Sequence, residues 1–148
     1  DISTQFTIDH AFLGTLKYSY LKGVNTAEDI PLIFMPPNSL FASLVYRAEN
    51  SMQIRRLKLE ESEIEINNRY VFKQKNILAG QDFMAPPSAY NLIGLRLSAN
   101  INSSRYKIRC FVKADNLLNV TYRDYLNRQR YFADDLGLSI SIGLNYKF

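Results

Sequence analysis

LSISIGLNYKF, residues 138–148, alternates without exception. Leu138, Ile140, Ile142, Leu144, Tyr146 and Phe148 fall on one side of an extended chain, and Ser139, Ser141, Gly143, Asn145 and Lys147 on the other. Successive side chains of a strand point to opposite faces, so the segment reads as one strand with an apolar and a polar side. Its length suits a tilted membrane-crossing strand, which needs roughly 9–11 residues. A soluble sheet avoids so long and apolar a final strand, because an exposed edge of that kind invites aggregation. Lipid on one side and water on the other is the environment that wants it, as in the wall of an outer-membrane β-barrel.

Working upstream, the same period of two recurs. Residues 6–21 read as a first strand, with Tyr18 and Tyr20 near one end. Residues 25–38 hold Pro31 and the Pro36-Pro37 pair and read as a loop. Leu40, Ala42, Leu44 and Tyr46 then alternate against Phe41, Ser43, Val45 and Arg47. After a polar turn at 49–53, a longer strand runs to about Lys73; its apolar parity switches between Leu57/Leu59 and Ile64/Ile66, which predicts a bulge at 60–62. A loop over 74–87 ends in Pro86-Pro87.

In the next strand Ala89, Asn91, Ile93, Leu95, Leu97, Ala99 and Ile101 share one face, and Tyr90, Gly94, Arg96, Ser98 and Asn100 the other. Asn102-Ser103-Ser104 suits a tight turn. The following strand places Tyr106, Ile108, Cys110, Val112 and Ala114 opposite Lys107, Arg109, Phe111, Lys113 and Asp115, and a long loop over 119–137 leads to the terminal strand. Six strands result, joined alternately by short turns and long loops, the rhythm of periplasmic turns and extracellular loops. Tyr46, Tyr106, Tyr146 and Phe148 gather at the turn side, as an interfacial girdle does. An amphipathic sandwich would alternate similarly but has no need of the loop asymmetry.

Composition is compatible with this reading. A hydrophobic fraction of 47% and a mean hydropathy of −0.19 resemble a soluble protein, but barrel strands dilute each lipid-facing residue with a polar neighbour. No apolar run of about 18 residues exists for a transmembrane helix. Cys110 is the sole cysteine, which excludes an internal disulfide; it reads as an apolar wall position. The chain starts at Asp1 without a signal peptide, so a processed protein or a piece of a longer one is expected. Six strands do not close a filled barrel, for which about eight is the minimum, and an open sheet in lipid would leave costly unpaired edges. The chain is therefore expected to be one part of a larger barrel.

A resemblance sharpens this. Residues 115–128, DNLLNVTYRDYLNR, are similar to the end of TonB-dependent outer-membrane receptors, where an Asn-Leu-Leu/Phe-Asn element precedes Tyr-Arg-Asp-Tyr-Leu-Asn-Arg. Residues 130–135, Gly137 and the last strand continue the likeness; Pro31-Leu32 with residues 34–37, and residues 72–75 with Phe83, Pro86 and Pro87, resemble the family's preceding extracellular loops. Leu138 departs from it, because many members carry Arg after the glycine. The resemblance implies an all-β chain of antiparallel transmembrane β-barrel strands, about the last six of a 22-stranded barrel plugged by an amino-terminal domain. Residues 1–148 would be the carboxyl-terminal segment, with the plug domain absent from them. It implies the outer membrane of a Gram-negative bacterium and TonB-driven uptake of a scarce nutrient, most often a ferric siderophore or other iron complex. The implied partners are outer-membrane lipid, the rest of the barrel and its plug, the TonB system through the plug, and the small-molecule nutrient. The barrel assembly machinery would read the final strand through Tyr146 and Phe148. The alternative is a small self-contained eight-stranded barrel with a structural or adhesin-like role.

Two clusters are candidate sites. Tyr122, Arg123, Tyr125, Arg128, Arg130 and Tyr131 combine aromatics and cations in the last long loop, chemistry suited to an anionic or aromatic ligand. The plainer reading packs this loop on its neighbours, with Asp124, Asp134 and Asp135 as internal partners. Arg47, Arg69, Lys73, Arg96, Lys107, Arg109 and Lys113 form a basic set on the polar, lumen-facing side, interleaved with Glu63, Glu65 and Asp115. They would either steer an anionic cargo or pair with acidic residues of a plug. His10 is alone, a poor start for a metal site, and no cofactor is expected. No phosphate loop, HExxH or GxSxG element is present, so no enzymatic activity is read. Basic residues spread round strand interiors do not make a nucleic-acid face.

Overall fold

The computed structural model describes residues 1–48, 51–54, 57–102 and 107–147. The Ser103 and Ser104 turn, Tyr106 of the girdle, Glu49 of the polar turn and the terminal Phe148 lie outside the described residues. The structure is an antiparallel all-β sheet. Its long strands are β1 (Ile2–Ile8), β2 (Phe12–Ser19), β5 (Ser39–Arg47), β7 (Leu57–Val71), β8 (Tyr90–Asn102), β9 (Lys107–Asp115) and β10 (Ser139–Lys147). Two-residue strands β3 (Val24–Asn25) and β4 (Ile30–Pro31) pair within the first long loop, and β6 (Met52–Ile54) pairs with the start of β7. The order is β1-β2-β5-β7-β8-β9-β10, each strand beside its neighbour along the chain.

One expectation is corrected. Residues 6–21 are not a single strand but the end of β1, a turn and β2, so seven long strands replace six. Asp9 takes a left-handed conformation (φ 60°) and its carboxylate accepts from the His10 N–H at 2.7 Å. Asp tolerates that conformation because its short side chain bonds locally. Ile8 and Phe12 face each other across the turn, so apolar parity continues through it and periodicity alone cannot reveal it. The bulge expected at 60–62 is present: the β7–β8 register shifts between Glu60 and Glu63, with Glu61 at φ 47°.

Register assigns the two faces. Phe6, Gly14, Leu44, Ile66, Leu95, Ala114 and Ile140 form one row, and Ile8, Phe12, Tyr46, Ile64, Leu97, Val112 and Ile142 the next. These rows are apolar and most of their large side chains are exposed, Ile8 at 56%, Ile140 at 65% and Ile142 at 75%. On the opposite face Thr15, Gly94, Ser98 and Asn100 are buried. Among the described residues the buried hydrophobic side chains are Val71, Tyr90 and Tyr125, all near the loop end. Burial is thus inverted relative to a water-soluble sheet, whose apolar face lies inward.

Three long loops, residues 20–38, 72–89 and 116–138, leave the same end of the sheet. Phe12 and Tyr46 stack at the opposite end of the apolar face, 5.0 Å between rings.

Candidate functional site

The last loop begins at a residue that defines its course. Asn116 is buried and left-handed (φ 52°). Its side-chain amide donates to the carbonyls of Val120 (2.9 Å) and Leu136 (3.4 Å), and its Oδ1 accepts from the Val120 N–H at 2.9 Å. One side chain thereby closes the start of the loop and pins its return. Asn119, also left-handed, accepts from the Leu138 N–H at 3.0 Å and delivers the chain to β10.

Between these anchors each of the six loop residues singled out from sequence has a contact, and they differ in how deeply they are engaged. Arg123 donates through Nε to Asp134 (2.5 Å) and through Nη1 to the Arg130 carbonyl (2.8 Å). Tyr122 stacks on Tyr90, with ring centroids 4.5 Å apart. Burial, and the carboxylates of Asp135 and Asp124, push the Tyr122 phenol above its ordinary range. The Tyr90 hydroxyl donates to Asp124 at 2.6 Å, while Asp135 accepts from the Asp124 N–H and the Asn127 amide. Tyr125 is buried beneath Arg130, whose guanidinium carbon sits 4.8 Å above its ring and 4.5 Å from that of Tyr131. Arg128 is exposed and lies 5.5 Å over Phe34 of the first loop.

The partner of Arg130 comes from elsewhere. Asp82, in the second loop, accepts from both the Arg130 guanidinium and the Tyr131 hydroxyl. Both charged side chains are only 2% exposed. Burial alone would raise the Asp82 carboxyl, but the bonds from Tyr131 and Arg130 outweigh it and hold the group below the ordinary carboxylate range. That shared bond with Asp82 likewise raises the Tyr131 phenol. The sequence offers no local signal for this pairing, because Asp82 stands in a loop read only from its prolines. The roles of Tyr90 and Phe34 likewise depend on residues far along the chain, whereas Asn116 stands inside the run 115–128 and bonds mainly to Val120, four residues on.

Register places six members of the basic set on one face, while Lys73 falls beyond β7 in the second loop and is exposed. Arg47, Arg69, Arg96, Lys107, Arg109 and Lys113 all fall on the polar side. Arg47 and Arg109 meet on Glu63, at 3.0 and 3.2 Å. Lys113 contacts Asp115 at 2.8 Å, and Arg96 stacks over Phe111 at 4.9 Å. Lys107 is opposite Asn102, at the turn end, and exposed. Arg69 lines two clefts at the loop end. One of about 410 Å³ also involves Ser39, Asp124 and Leu126; the other, of about 510 Å³, involves Lys113, Tyr122 and Gly137. The set is therefore partly paired within the wall, and Arg69 is the member that lines both loop-end clefts. Tyr146 lies on the apolar face opposite Ile108.

Compared with protein-family models, curated proteins and solved structures, the chain has no match.

Proposed function

We propose that this chain is part of the wall of an outer-membrane β-barrel, the carboxyl-terminal segment of a receptor resembling the TonB-dependent kind, non-enzymatic and serving uptake of a scarce nutrient such as an iron complex. The observation that carries the membrane reading is the inverted sheet: an apolar face exposed along the long strands, backed by a polar face with buried Thr15, Ser98 and Asn100. In water such a face would be a very large aggregation surface; in lipid it is the ordinary exterior of a barrel. Aromatic rings lie near both ends of this face, Phe12 and Tyr46 at one and Tyr18 and Tyr70 at the other. Six residue steps along β2 separate the rows, about 20 Å of strand.

The sheet order starts at β1 and finishes at β10. A path with two ends supports a role as one arc of a larger sheet over a small self-contained barrel. The cargo reading rests on the resemblance of residues 115–137; the two clefts beside Arg69, whose linings also carry Asp1, Glu65, Asp115 and Asp124, are where a solute would meet this arc.

Two measurements test the proposal in order. The protein should sediment with outer membranes and shift electrophoretic mobility on heating in detergent, as folded barrels do; recovery as a detergent-free soluble species would end the membrane reading. A strain lacking the protein should then lose TonB-dependent growth on at least one of a panel of ferric siderophores, haem or cobalamin as limiting nutrient. Growth unchanged on every member would remove the import reading while leaving the barrel intact.

A further inference from the structure

Residues 73–89 are a long loop with little backbone structure of their own. Among the described residues one backbone hydrogen bond joins two of their members, Gln81 N–H to the Leu78 carbonyl at 3.3 Å. Their position comes instead from side chains reaching to other loops. Gln74 donates to the Met35 carbonyl at 2.8 Å and Gln81 to the Pro31 carbonyl at 3.4 Å, tying the second loop to the first. Asp82 ties it to the third through Arg130 and Tyr131, with the Phe83 and Tyr131 rings in edge contact at 5.8 Å beside it.

The Asp82 tie differs from the others in kind. Removing one partner of a buried ion pair leaves the other charge uncompensated, at a cost far above that of an exposed pair. Arg130 is enclosed between the Tyr125 and Tyr131 rings, and its Nε finds no hydrogen-bond partner among the described residues. A closed state without the Asp82 carboxylate is thus poorly satisfied, and it is relieved when the loops separate and water reaches the guanidinium.

We propose that Asp82 is a latch: it makes residues 73–89 and 116–138 one lid over the loop end of the polar face, and the lid parts when this carboxylate releases Arg130 and Tyr131. Tyr122 and Gly137 of the third loop line the larger cleft with Arg69, so parting the lid widens the approach to that arginine. The inference concerns loop mechanics and does not depend on the import reading.

Hydrogen exchange followed by mass spectrometry, on the full-length protein purified in detergent at neutral pH, tests it. In Asp82→Ala, amides of residues 73–89 and of 122–136 should exchange together, roughly tenfold or more faster, with β8 and β9 unchanged, as a local opening demands. Asp82→Asn and Tyr131→Phe, which delete the charge or one bond, should raise exchange less in the same two segments; they carry the test if Asp82→Ala does not fold. Faster exchange in 73–89 alone, no change in either loop, or lost protection through β8 and β9 would each overturn the latch.

Discussion

At Asn116 a single side chain performs two tasks that substitution can separate. It occupies a left-handed backbone conformation and makes three hydrogen bonds across the base of the last loop. Glycine keeps the conformation and loses the bonds, whereas alanine loses the bonds and adds strain. Asn116→Ala should therefore be the more destabilising, by about 1 kcal/mol over Asn116→Gly, measured as the difference in unfolding free energy in detergent. Equal costs would mean that the backbone relaxes and that the bonds alone matter. Gly143 poses a packing question instead. A Cβ built there would lie 2.2 Å from the Phe111 ring, directly across the β9–β10 ladder, and that ring carries Arg96 on its face. Gly143→Ala should cost about 1–3 kcal/mol by overpacking. Combining it with Phe111→Leu should cost less than the sum of the two single changes, since the ring is what the methyl meets.

At the level of the strand, β10 separates the lipid reading from a solvated one. Ile142 and Ser141 are adjacent, yet one lies on the exposed apolar row and the other opposite Lys113 on the polar face. If water covers both faces, Ile142→Lys is a benign change at an exposed site. If lipid covers the apolar face, it should cost about 2–4 kcal/mol near mid-membrane while Ser141→Lys costs little. The ratio of folded to unfolded protein on unheated gels of outer membranes reads this directly, and equal folding of the two variants would refute a lipid face. The same strand explains how much of the fold was legible. Strict alternation in residues 138–148 and 91–101 identifies strands because each has one uniform side. The β7 bulge was readable because Ile64 and Ile66 fall out of parity with Leu57 and Leu59. The β1–β2 turn was not, since Asp9, His10 and Ala11 together preserve parity between Ile8 and Phe12. An even period sees a turn only when the turn breaks it.

Over the whole molecule, the site was legible only as composition. Residues 122–131 announce aromatic and cationic chemistry, and the structure adds which charges remain available: Arg123 is engaged by Asp134, Arg130 by Asp82, and Arg128 is exposed. A contact 48 residues apart in sequence between two loops leaves no periodic trace, so no local reading could supply it. Its titration yields a prediction for the loop layer as a unit. The Asp82 carboxyl is held low, so its contribution is complete above the unfolded aspartate value of about 3.9 and is lost as pH falls through the lower folded value. The Tyr131 phenol is raised, so its contribution is complete below the unfolded tyrosine value of about 10 and is lost as pH rises through the higher folded one. Between those limits the two loops should stay joined. Spin labels at Met84→Cys and Phe132→Cys, both exposed positions, in a Cys110→Ala background, report their separation. The distance should be flat from about pH 5 to pH 9 and lengthen only beyond the two unfolded values, with the acid limb abolished in Asp82→Asn. A transition near pH 6.5, the ordinary histidine range, would assign loop opening to another group and leave Asp82 without control of it.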